Sequence, residues 1–243
     1  MHPEICKIGP FTIYSYGLML ALAFMVSFAL IQQQAKRQNI NHAPIFNLAF
    51  IVFISGIMGA RIFYVLENLS YYLKNPVEII ILQHGGLSWF GGLILAIISA
   101  AVYLKKKKLP IYKTLDLIAP FVALGQAIGR IGCLLNGCCF GRVSKFGLYF
   151  AVHEKVLIPT QLYSSLSLLL VFVVLRFLQG KPHKEGQIFF TYLLLYSLKR
   201  FIIEFWRADS EVMFLGLTLF QIISFVVFCL SFFKLLSVKF SKN

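Results

Sequence analysis

Seven runs of mostly apolar residues dominate this sequence, at about 16–32, 45–66, 85–104, 114–135, 160–177, 186–206 and 214–236. Each is long enough to carry an α-helix through most of a bilayer whose hydrocarbon is ~30 Å thick. In lipid the backbone must satisfy its own hydrogen bonds, so a run of this kind has to be helical. Of the 243 residues 59% are hydrophobic and the mean hydropathy is +0.80, which leaves no stretch for a soluble domain. The chain therefore reads as one membrane-embedded domain over residues 1–243, an all-α polytopic integral membrane protein with seven transmembrane helices. Lys36 and Arg37 follow the first run and no small-residue cleavage site does, so it is expected to stay as a span.

The net charge of +14 does not indicate nucleic acid, because Lys and Arg fall in short clusters between apolar runs. Such clusters set orientation. Lys36, Arg37, Lys105 to Lys108, Lys113, Arg176, Lys181, Lys184, Lys234, Lys239 and Lys242 all lie at or beyond the ends of odd-numbered spans, which is thirteen of the 23 basic residues. This places the amino terminus outside and the carboxyl terminus in the cytoplasm. Residues 1–14 form an amphipathic lead-in with a Gly9-Pro10 turn, and residues 67–84 are too polar to span and read as interfacial. The loop at 136–159 and the stretch Gly85 to Gly92 then face outward. Gly56 and Ala60 share a helix face and invite a close helix neighbour.

The stretch from Gly125 to Arg142 concentrates the chemistry. Arg130 sits where hydrocarbon is expected, and a guanidinium there must meet an anion, a carboxylate or water. Gly125, Gly129 and Gly132 around it offer room for a ligand or a neighbour. Arg61 ends the second span, and Arg200, Glu204 and Arg207 lie late in the sixth, spaced along one helical face. An Arg200–Glu204 pair would neutralise one charge, leaving Arg61, Arg130 and Arg207 to attract an anion such as a lipid phosphate. The plainer reading of Arg61 and Arg207 is snorkelling at span ends.

Cys133, Cys138 and Cys139 crowd the same stretch. Metal binding, a disulfide and a catalytic thiol are each conceivable, and small packing residues in a glycine-rich turn is the reading favoured. No metal ligand set and no cofactor is expected. Ser-His-Asp triads, nucleotide loops and paired metal-binding aspartates are all absent.

Together these pieces resemble the prolipoprotein diacylglyceryl transferase family over nearly the whole chain. The resemblance rests on Ile8-Gly9-Pro10 with Tyr16-Gly17-Leu18, Gly59-Ala60-Arg61, and Gly85-Gly86-Leu87-Ser88 with Gly91-Gly92. It continues through Gly129-Arg130-Ile131-Gly132 with Asn136-Gly137 and Gly141-Arg142, then Pro159 to Tyr163, then Arg200 to Arg207. It implies transfer of diacylglycerol from phosphatidylglycerol to the lipobox cysteine of a preprolipoprotein, forming a thioether and releasing glycerol phosphate. Its setting would be the bacterial cytoplasmic (inner) membrane, with the active site toward the outer leaflet. Its partners would be phosphatidylglycerol, lipobox peptides and membrane lipids, with no nucleic acid. Arg130 would hold the lipid phosphate, Arg200 would assist catalysis and Glu204 would orient Arg200. Tyr16, Arg61, Asn136, Gly141, Gln161, Tyr163 and Arg207 would contact substrate or shape its site.

The sequence departs from the family pattern in places. Phe90 stands where many members have His or Tyr, so a base must come from elsewhere, water or Glu204. Cys133 and Cys138 replace Asn and Glu, Ile158 replaces a His, and Ser164 a Glu. A lipid or anion binding or transport protein on the same scaffold is the alternative reading.

Overall fold

The computed structural model describes residues 2–8, 11–81 and 85–240; the Gly9-Pro10 turn, Lys242 and residues 82–84 of the expected interfacial segment lie outside these. In chain order the elements are β1 (Glu4–Ile8), β2 (Phe11–Tyr14), α1 (Ser15–Arg37), α2 (His42–Glu67), α3 (Leu69–Tyr72), a 3-10 turn (Pro76–Ile79), α4 (Trp89–Lys106) and α5 (Ile111–Asn136). They continue with β3 (Val143–Phe150), β4 (Lys155–Leu157), α6 (Thr160–Gln179), α7 (Gln187–Glu204), β5 (Val212–Phe214), β6 (Leu217–Thr218) and α8 (Leu219–Phe240). Among the described residues six helices, α1, α2, α4, α5, α6 and α8, are long and apolar enough to cross a membrane. The chain is thus a polytopic, helix-built membrane protein. The seventh expected span, α7, has 18 residues but includes Lys199, Arg200 and Glu204.

Three two-stranded antiparallel sheets lie in the connections of this helical fold. The lead-in is the pair β1–β2, the loop after α5 contains β3–β4, and β5–β6 precedes α8. These segments are too short to nucleate helices, and turn residues favour strand reversal instead. Leu215 and Gly216, with φ of 49° and 76°, link β5 to β6. For that reason the last long helix starts at Leu219 and not at the expected 214. Likewise Gly85 and Gly86 take φ of 79° and 83°, so the third long helix starts at Trp89 and not at 85.

Contacts group the chain into two compact units: Gln32–Ile111, and the residues up to Ile31 together with those from Tyr112 onward. In the first of these, α2 packs on α4 along small residues. Gly56 and Ala60 face Gly92, as their spacing predicts. The tightest approach lies one step round the helix. A Cβ on Gly91 would stand 2.3 Å from the Phe63 Cβ and 2.4 Å from the Gly59 carbonyl oxygen. The Ser55 and Ser99 hydroxyls meet at 2.6 Å across the same seam.

The other unit is built around α5. Ala119 and Ala123 of α5 join Val171 and Leu175 of α6 and Ile188 and Tyr192 of α7 in a buried core. Pro120 lies inside α5 and cannot donate to the Asp116 carbonyl four residues back. Gln179 of α6 supplies that bond from Nε2 at 2.9 Å, and the helix runs on unbroken. The Asp116 carboxylate accepts the Gly186 and Phe189 N–H groups at 2.6 and 2.8 Å, satisfying orphan donors where α7 begins. Ser27 of α1 donates to the Phe121 carbonyl at 3.0 Å.

Gly91→Ala should destabilise the α2–α4 seam by about 1–3 kcal/mol, the usual range for overpacking. Gly56→Ala, whose Cβ would meet its nearest neighbours at an ordinary 3.9 Å, should be close to neutral. Thermal unfolding of the two variants in detergent measures the contrast.

Candidate active site

Arg61 and Arg130, each six residues before the end of its helix, are used differently. Arg61 is 6% exposed and all five of its N–H groups meet backbone carbonyls. Nε donates to Ile79 at 3.0 Å, Nη1 to Gly85 and Gly86 at 2.6 and 2.9 Å, and Nη2 to Glu78 and to Ile81, the latter at 2.9 Å. The guanidinium also lies over the Tyr72 ring at 5.3 Å. A charge buried in this way is solvated by peptide dipoles. Arg61 thus folds the segment between α2 and α4 around itself, and no donor is left over for the lipid contact expected from the sequence.

Arg130, late on α5, stands in another setting. No hydrogen bond or ion pair reaches its guanidinium from any described residue. The titratable groups that act on it most strongly are Cys133, Cys139, Tyr196 and Arg207. Of the three glycines expected to make room beside it, two serve helix packing. A Cβ on Gly125 would lie 2.8 Å from the Ser27 hydroxyl of α1, and one on Gly132 would lie 2.9 Å from the Met19 Cβ. A Cβ on Gly129 would meet nothing within 4 Å, so the open space lies on that side.

Across from α5, α7 contributes a buried ionic row. Arg200 Nη2 stands 3.0 Å from Glu204 Oε2, with the two side chains 9% and 0% exposed. No hydrogen is aligned on that oxygen, so charge rather than a directed bond holds the pair. The other Glu204 oxygen accepts the Ser210 hydroxyl at 2.5 Å and the Thr218 hydroxyl at 3.3 Å. Arg200 also lies over the Phe220 ring at 4.5 Å. Arg207 makes a bidentate pair with Asp209, Nε to Oδ1 at 2.8 Å and Nη2 to Oδ2 at 2.6 Å, and its Nε is 4.0 Å from Glu204. Burial works against the Arg207 charge, but Asp209 outweighs it and raises the pKa above the ordinary Arg value.

Between the two helices a turn closes the site. Helix α5 stops where Gly137 adopts φ of 76°, and Cys139 follows with φ of 62°. Three successive carbonyls of this turn are held by side chains. His153 Nε2 meets Gly137 O at 2.8 Å, Gln161 Nε2 donates to Cys138 O at 2.6 Å, and Thr160 Oγ1 donates to Cys139 O at 2.6 Å. Just beyond, Gly141 leaves no room for a side chain: a Cβ would lie 2.7 Å from both Ile158 Cβ and the Trp206 carbonyl. The Arg142 N–H donates to that Trp206 carbonyl at 2.9 Å, which ties the turn to the end of α7. The Cys139 thiol is lowered in pKa by hydrogen bonds from the Cys133 and Cys138 thiols, then by Arg130 and Arg207, against the effect of burial.

The structure therefore gathers Tyr16, Arg130, Arg200, Glu204 and Arg207 into one electrostatic neighbourhood. Asn136 faces the Cys138 thiol. Gln161 and Gly141 build the turn, and Tyr163 lies 44% exposed on α6. Arg61, in the other compact unit, has the clamping geometry described above.

Comparison with known proteins gives the family. The family model described as "Prolipoprotein diacylglyceryl transferase" matches residues 3–237. The chain belongs to that family. The curated phosphatidylglycerol--prolipoprotein diacylglyceryl transferase of Clostridium tetani is 35% identical over 218 residues, which is 87% of this chain and 87% of the relative. The protein of that name from Trichormus variabilis is 38% identical over 224 residues, 86% and 79% of the two chains. That from Lactiplantibacillus plantarum is 32% identical over 242 residues, 94% and 86%.

In this member of the diacylglyceryl transferase family, one residue of the site escaped the sequence reading. Lys199 is 8% exposed and its Nζ has no hydrogen bond among the described residues. It lies over the Tyr196 ring at 5.1 Å, within electrostatic reach of Arg130, Arg200, Arg207 and Glu204. Its signal in the sequence was a second basic residue beside Arg200 in an apolar run, three positions after Tyr196. Arg130, Arg200 and Arg207, beside the Lys199 amine, thus face only two carboxylates among the described residues, Glu204 and Asp209. A bound anion would complete the balance.

Lys199→Met, which keeps the stem and removes the amino group, should weaken binding of an anionic phospholipid about tenfold or more, given the ~1.5–3 kcal/mol of a charged hydrogen bond. Fluorescent phosphatidylglycerol binding to purified protein measures this, with diacylglycerol as the uncharged control.

Proposed function

We propose that this protein transfers the diacylglyceryl group of phosphatidylglycerol to the lipobox cysteine thiol of a preprolipoprotein, the first step of lipoprotein maturation. The observation that carries the proposal is the Arg130 guanidinium, free of hydrogen bonds and ion pairs from described residues inside an excess of positive charge. A lipid phosphate supplies what that arrangement lacks, since two of its oxygens match two guanidinium N–H groups. Family membership supports the choice of phosphatidylglycerol and prolipoprotein over other phospholipids and acceptors.

The chemistry asks little of the protein beyond charge and position. The substrate sulfur attacks the terminal glycerol carbon, the C–O bond to phosphate breaks, and glycerol phosphate leaves. Negative charge grows on the leaving oxygen, where fixed Arg donors act most strongly. Arg130 holds the phosphate, and Arg200, oriented by Glu204, stabilises the leaving group. Glu204 is itself fixed by Ser210 and Thr218. Arg207 is held by Asp209 and adds to the field. Tyr16 and Tyr163 shape the lipid path, and Asn136, Gly141 and Gln161 keep the turn in place.

The same reading places α7 as the seventh span. Its charged residues are no obstacle, because Lys199, Arg200 and Glu204 are all buried in protein. The basic clusters support an amino terminus outside and a carboxyl terminus in the cytoplasm, which puts the site in the outer leaflet of the bacterial inner membrane.

Arg130→Lys keeps the charge and loses the paired geometry, and transfer should fall by more than about tenfold. The assay uses purified protein in detergent, acyl-labelled phosphatidylglycerol and a lipobox peptide beside its Cys-to-Ser control. Label on the Ser peptide, or full activity in the Lys variant, would overturn the assignment.

A further inference from the structure

The Cys133, Cys138 and Cys139 Sγ atoms all lie within 4.8 Å of one another. No disulfide joins them. Their convergence is built into the backbone. Cys133 is in the last turn of α5, and the chain reverses through Gly137 and Cys139, both with positive φ. A non-glycine residue in that region is strained and persists only when its surroundings hold it. Here His153, Gln161 and Thr160 pin the three carbonyls of the turn. Packing residues would have no need of such a frame.

We propose that the three thiols bind a zinc ion, or a similar thiophilic divalent ion, and that its fourth position receives the lipobox thiol. Three protein ligands with an open position are the pattern of catalytic rather than structural zinc. Zn–S bonds of ~2.3 Å in a tetrahedron place sulfurs ~3.8 Å apart, so the ion draws the three atoms inward by less than ~1 Å. Three thiolates on a divalent ion carry one net negative charge, and a fourth makes two. Arg130 and Arg207 act directly on Cys139, and the excess positive charge of the site offsets the complex. Cys138 and Cys139 are partly exposed, which leaves the open position accessible.

The inference rests on the transferase reading and supplies the step that reading lacks. Phe90 can accept no proton, and the Glu204 carboxylate is committed to its ion pair with Arg200 and to the Ser210 and Thr218 hydroxyls. On binding the ion the peptide S–H releases its proton to water and becomes a thiolate. That sulfur attacks the terminal glycerol carbon. The C–S bond forms as the C–O bond to phosphate breaks, and the electron pair leaves on glycerol phosphate beside Arg130. No redox change occurs, and the ion is regenerated when the thioether departs.

The test uses full-length protein in detergent, stripped with a chelator and titrated with Cd2+ and then Zn2+. The expected result is one ion per protein and a thiolate-to-cadmium absorption band, both lost in Cys139→Ser and kept in Cys229→Ser. Addition of the Cys lipobox peptide, but not the Ser peptide, should intensify that band. Stripping should lower transfer by about a hundredfold or more, the scale of a lost general base, with stoichiometric Zn2+ restoring it. Full transfer by stripped protein overturns the proposal and leaves the transferase reading intact. A band that ignores the peptide also overturns it, and so does a thiol count showing a disulfide among the three. If no preparation transfers label, the transferase reading fails, and the peptide's effect on the band still decides the fourth ligand.

Discussion

A positive charge taken out of water must be solvated by something else, and the architecture of this protein follows from how each buried cation meets that demand. Arg61 is solvated by peptide carbonyls. Arg200 and Arg207 are solvated by carboxylates that are themselves hydrogen-bonded. Arg130 and Lys199 are left with neither hydrogen bonds nor ion pairs among the described residues. The first three define rigid structure, and the last two define where a ligand belongs. A site for an anionic lipid is in this sense the part of the ionic network that the protein does not complete by itself.

The same division governs the helices. α5 is the central element of its unit because both of its weaknesses are compensated from outside. Pro120 removes a hydrogen bond that Gln179 returns, and the glycines at 125 and 132 are filled by α1. Its end is fixed by side chains of α6 and of the β3–β4 segment. The position of Arg130 is therefore set by contacts spread over much of the unit. The ionic row of α7 is oriented by Asp116 at one end of that helix and by the β5–β6 turn region at the other. Precise placement of this kind is what stabilisation of a leaving group requires.

Most of the helical architecture was legible in the sequence, since spans in lipid are dictated by length and apolarity. The strand pairs were not, because short segments between spans take their form from turn residues and from what they pack on. The Gly56–Ala60 face was legible as periodicity, while the closer approach at Gly59 and Gly91 depends on how the helices cross. Arg130, Arg200 and Glu204 stood out as charges in hydrocarbon. Arg61 stood out for the same reason, yet its geometry is that of a clamp, because which partner a buried Arg finds is a property of tertiary folding. Lys199 was overlooked as a neighbour of Arg200, and only its burial and missing hydrogen bonds single it out. The convergence of the three cysteines is likewise a product of two left-handed residues that no spacing rule announces.

The Arg61 clamp has a consequence for how this region can change. Its hydrogen bonds go only to main-chain oxygens, those of Glu78, Ile79, Ile81, Gly85 and Gly86, and read nothing of the side chains these residues carry. Residues such as Glu78, Ile79 and Ile81 can therefore be exchanged without altering what the guanidinium binds. The spacing of the Glu78, Ile79 and Ile81 carbonyls has no such freedom, because adding or removing a residue among them shifts these oxygens out of register with the fork. In this connection it is spacing that is inherited, and composition that is free to drift.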